Sequence, residues 1–78
     1  MTLTRDEVFA RAAALFGPTW QRPFARAWDM EVVTVNRGKP PTLRFILAVV
    51  EVLELLPPTR WPGRYAELEA LARSHASG

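Results

Sequence analysis

Few side chains in this chain could do chemistry, and most of those are cationic. The one histidine, His75, lies beside Ser74 and Ser77 near the C-terminal end, with nothing in sequence to orient a Ser–His pair. The carboxylate pairs Asp6/Glu7, Glu51/Glu54 and Glu67/Glu69 fit solvated helix edges better than a general acid/base site. Cysteine is absent, which removes thiolate metal sites, thiol nucleophiles and disulfides. No metal-ligand spacing and no glycine-rich phosphate loop occurs. The expectation is a protein that is not an enzyme, with no metal, no cofactor and no small-molecule substrate.

The cations are more informative. The formal charge is only +2, but its distribution is uneven. The stretch from Arg11 to Arg44 holds Arg11, Arg22, Arg26, Arg37, Lys39 and Arg44 against Asp29 and Glu31, whereas Glu51, Glu54, Glu67 and Glu69 all come later. A basic middle of this kind suits a phosphate-contacting surface, and equally a solvated one.

These residues need a frame. With 78 residues and 49% apolar composition, the chain reads as a single domain over 1–78, close to the size below which a core alone no longer holds a fold. Thr4 and Glu7 form a capping box for a first helix, with Leu3 and Val8 as its staple, and Gly17-Pro18 stops it. A second helix starts near Thr19 as N-cap, carries Trp20, Phe24, Ala27 and Trp28 at helical spacing, and ends around Asp29. Met30–Arg37 reads as a short helix, or as an extended edge element on the propensity of its β-branched residues. After Gly38, Pro40 and Pro41, Thr42 caps a central helix over Leu43–Leu56. One stripe of that helix, Leu43, Ile46, Leu47, Val50 and Leu53, faces the core; the other, Phe45, Val49, Val52 and Leu56, is either more core or a dimer face. Pro57-Pro58 ends it. Trp61, Tyr65, Leu68 and Ala72 mark a last helix with Pro62 near its first position, and 74–78 reads as a frayed tail. The fold class is all-α, a compact four- to five-helix bundle. At helical spacing, the tryptophans and Phe24 and Tyr65 suit core positions better than base stacking.

Within this frame, Gln21 to Arg37 has a recognisable pattern. A small residue, Ala25, follows Phe24 where two short helices would touch; Trp28 closes the first helix; Asp29 tolerates positive φ; Met30 and Val35 point inward. With Leu15-Phe16-Gly17-Pro18-Thr19-Trp20-Gln21 ahead of it and Gly38-Lys39-Pro40-Pro41 behind, the segment resembles the helix-turn-helix of small bacterial and phage regulators of the Cro/phage-repressor type. The resemblance covers roughly Ala13 to Leu56. It departs at Gly38, where the family's second helix continues, so the recognition helix is about one turn short.

The resemblance implies a small regulator that contacts double-stranded DNA through the Glu31–Arg37 helix. Thr34, Asn36 and Arg37 would face the bases, Asn36 suiting adenine and Arg37 guanine. Arg22, Arg26, Lys39 and Arg44 would grip phosphates. On the residues alone, Asn36 is equally a helix cap and Arg37 a solvated side chain. One short helix reads little sequence, so a homodimer is expected. The alternative is a small phage-encoded inhibitor of the anti-CRISPR type, which keeps the helical scaffold and blocks a nucleoprotein complex. The shortened helix and the acids Asp29 and Glu31 motivate it. The polar N-terminus and short apolar runs lead to a cytoplasmic, non-membrane expectation.

Overall fold

The computed structural model describes residues 3–77, with side chains described to residue 76. It contains five α-helices: α1 (Arg5–Phe16), α2 (Gln21–Ala27), α3 (Val32–Arg37), α4 (Thr42–Glu54) and α5 (Ala66–Ser77). Single 3₁₀ turns at Pro58–Arg60 and Gly63–Tyr65 join α4 to α5, and there is no strand among the described residues. No helix among the described residues is long and apolar enough to cross a membrane.

α1 begins as its sequence dictates. The Glu7 N–H donates to Thr4 Oγ1 and the Thr4 N–H donates to Glu7 Oε1, both at 3.2 Å. The helix buries Val8, Ala12 and Phe16 and packs against α4 and α5. Gly17, at φ 98°, ends it. The N-cap position of α2 falls one residue later than the expected cap at Thr19. Trp20 is the boundary residue; its indole is a donor only and makes no side-chain cap bond, while its buried ring sets where the chain enters the helix. Pro23 then falls in the first turn, where a missing N–H costs little.

The extended alternative for Met30–Arg37 is overturned: Val32–Arg37 is helical, with Val35 fully buried. Burial of that one valine against α2 outweighs the strand propensity of its neighbours. α4 begins one residue earlier than Leu43, with Pro41 and not Thr42 at the N-cap position, and the Pro40–Pro41 peptide bond is cis. It buries Ile46, Val50 and Leu53 and closes at Glu54.

The last helix starts later than expected. A residue before proline is pushed out of the helical region, and Trp61 before Pro62 is extended at φ −72°, ψ 145°. Trp61 is nonetheless core: its indole N–H donates to the Leu56 carbonyl at 3.1 Å, and its ring meets Phe16 edge-on. α5 carries on through 74–77, the stretch read from sequence as a frayed tail, while Gly78 lies outside the described residues.

Six aromatic residues form one connected network, apart from the Phe16–Trp61 pair. Phe9, Trp20, Phe24 and Trp28 follow one another with centroids 5.0, 5.5 and 4.6 Å apart, and Trp28 stacks on Tyr65 at 4.8 Å. Ion pairs fasten the outer helices. Arg11 reaches Glu54 from α1 to α4 at 2.5 Å, and that hydrogen bond raises the guanidinium above its ordinary value.

Candidate nucleic-acid interface

The unit formed by α2, its turn and α3 rests on a helix-ending motif. The Met30 N–H donates to the Ala25 carbonyl at 2.7 Å and the Asp29 N–H to the Arg26 carbonyl at 3.3 Å. These are the paired bonds of a Schellman ending, with Asp29 in the left-handed position at φ 55°. The chain therefore reverses within Trp28–Glu31 and sends α3 off with Val35 turned inward. Arg64 supports the same corner by donating to the Ala27 carbonyl at 3.0 Å.

With Val35 buried, helical geometry leaves Val33 and Arg37, one turn apart, on the opposite side of α3. Val33 is 51% exposed; Thr34, Asn36 and Arg37 are exposed as well. The three residues expected to face bases thus share the outer surface of α3. Asn36 is on the edge nearer α2, where a shallow concavity is lined by Pro18, Thr19, Gln21, Arg22, Val32 and Asn36. A second concavity on the other flank of Arg22 is lined by Ala25, Arg26, Asp29, Met30 and Val32. Arg22 stands between the two and joins the α2 N-terminus to the α3 face.

The four phosphate candidates separate into groups. Arg22 and Lys39 are exposed, flank α3, and have no salt bridge among the described residues. Arg26 is engaged elsewhere: its Nη1 donates to both carboxylate oxygens of Glu67 on α5, at 2.8 and 2.9 Å. So exposed a pair opens at little cost. Arg44 is on the outward edge of α4 beside Phe45 and Ala48. Of the candidate dimer residues, Phe45, Val52 and Leu56 are exposed at 36, 57 and 39%, and Val49 is half-buried.

Two contributors were not visible in the sequence. Gln21 lines the α2–α3 concavity from the first turn of α2; its place at a helix start was the only signal. Arg5 is the other. It donates to the Asn36 carbonyl through Nε at 3.1 Å and Nη2 at 2.7 Å, supplying a cation and two donors to the end of α3. Nothing local to Arg5 announces a partner 31 residues away. The Asn36 side chain is therefore not needed to cap α3. Elsewhere, Ser74 and His75 are exposed on α5, and no group of three or more His, Asp or Glu converges to hold a metal among the described residues.

No family model, no curated protein and no solved structure matches the chain.

Proposed function

We propose that the protein is a small DNA-binding regulator of the helix-turn-helix type. It contacts the duplex through the outer face of α3, with Arg22 and Lys39 on flanking phosphates. The observation that carries this reading is the exposed row of Val33, Thr34, Asn36 and Arg37, held outward by the buried Val35 and bordered by two cations with no salt bridge among the described residues. In a major groove Arg37 suits guanine, Asn36 adenine, and Val33 a thymine methyl group. α3 has six residues, so it covers few base pairs and phosphate contacts supply most of the affinity.

Binding to random duplex DNA across a salt series tests this. Each phosphate neutralised contributes a slope of about −0.9 in log K against log salt, so Arg22 and Lys39 together support a slope of roughly −2. Arg22→Ala lowers that slope by about one and weakens all sequences alike. The absence of binding at low salt overturns the reading. It would then favour the second one, a phage-encoded anti-CRISPR-type inhibitor that sets the same face against a nucleoprotein complex. That reading draws on the half-exposed Val33 at the centre of the face and on Glu31 at its leading edge.

A further inference from the structure

α4 is buried along Ile46, Val50 and Leu53, yet its opposite side is apolar too. Phe45, Ala48, Val52 and Leu55 recur at alternating steps of three and four residues, the repeat of a helix-packing seam. All four are exposed, Leu55 by 84%. A row of this kind on so small a domain marks a contact surface. We propose that it is the interface between two copies of the chain, with the α4 helices packed antiparallel about a two-fold axis beside Ala48.

Three features specify this occupant and this direction. The first is register. With the axis at Ala48, each residue faces the one equally distant on the other side of Ala48 in the second copy. Leu55 then falls over Pro41 of the second copy. Phe45 falls within one residue, about 1.5 Å of helix rise, of the second copy's Val52.

The second feature is shape. Ala48, the smallest side chain of the row, lies at the closest approach. A concavity of about 180 Å³ beside it is lined by Ala48, Val49, Val52, Leu53 and Tyr65, level with the second copy's Phe45. The inner edge of Phe45 is already fixed against Trp28, with centroids 5.3 Å apart, so its outer edge docks with little loss of rotamer freedom.

The third feature is charge. Arg44 and Glu51 are two turns apart on one edge of the row, and neither has a salt bridge among the described residues. Antiparallel two-fold packing brings like edges together, so each Arg44 meets the Glu51 of the other copy, twice over. Parallel packing would set this edge against the apolar one at Val49 and Leu56, leaving Arg44 without a carboxylate and Glu51 with only the field of Arg11 in its own chain. The surface is therefore self-complementary in one direction only, as an isologous contact requires.

The inference is independent of the DNA reading, and its test uses no nucleic acid. Sedimentation equilibrium of the full chain, from about 10 µM to about 1 mM, is expected to give a concentration-dependent monomer–dimer equilibrium. Arg44→Glu and Glu51→Arg each place like charges together and weaken the dimer by about tenfold or more. The two changes combined restore it to near the starting affinity, while Val52→Glu abolishes it. Thermal melts by circular dichroism establish that each variant is folded. A monomer throughout, a dimer indifferent to the single charge exchanges, or a double exchange no better than the singles would overturn the proposal.

Discussion

α3 is bounded by two residues with almost the same backbone conformation, Asp29 at φ 55° and Gly38 at φ 58°. Their surroundings differ completely. Asp29 is exposed, and its left-handed turn is closed by backbone bonds from its own helix. Gly38 is buried, and a Cβ there would lie 2.9 Å from Arg5 Cγ and 3.1 Å from Phe9 Cε1. The first residue meets a purely local demand, which several residue types satisfy. The second meets that demand and also the close approach of α1. The shortness of α3 follows: where a longer helix would continue, Arg5 and Phe9 occupy the space, and the Arg5 guanidinium takes over the terminal carbonyl of Asn36.

Substitutions at the two ends sharpen or break this contrast. The largest effect is expected from Gly38→Ala, which adds both backbone strain and a clash. It should cost roughly 2–4 kcal/mol in urea-melt stability. A loss below that of an ordinary surface substitution would mean α1 does not press on α3 as described. Arg5→Ala should cost about 1 kcal/mol through the lost charge-assisted cap and speed exchange of the α3 amides. A change in stability with the α3 amides still protected would argue against the cap.

Asp29→Gly is expected to act in the opposite direction, stabilising by roughly 0.5–1 kcal/mol, because glycine takes positive φ without the Cβ penalty. Asp29→Asn should stay within about 0.5 kcal/mol, since asparagine shares that tolerance. If Asp29→Gly proved as damaging as Gly38→Ala, the local account of the first turn would fail.

The same contrast explains what was legible in the sequence. The capping box at Thr4 and Glu7, the turn at Asp29 and the inward Val35 are set by neighbours within a few residues, and they stand where local chemistry puts them. The starts of α2 and α5 depart from what local residues predict, because burial of Trp20 and the Trp61-Pro62 pair move the boundaries. The Arg5–Asn36, Arg26–Glu67 and Arg11–Glu54 contacts join residues 31, 41 and 43 positions apart and had no local signature. The Arg26 pairing matters most for the candidate site, since it gives a carboxylate partner to a cation that the helix-turn-helix resemblance assigned to phosphate.

The outer faces of α3 and α4 differ in chemistry. Polar and cationic groups border the first, and an apolar seam with one charge of each sign borders the second. Chemical-shift mapping of the isotope-labelled chain titrated with random duplex DNA at low salt tests the central claim most directly. The account predicts amide shifts concentrated at 19–22 and 32–39, with the outward face of α4 unmoved. Shifts centred on α4 or α5, or no shifts at all, would contradict it.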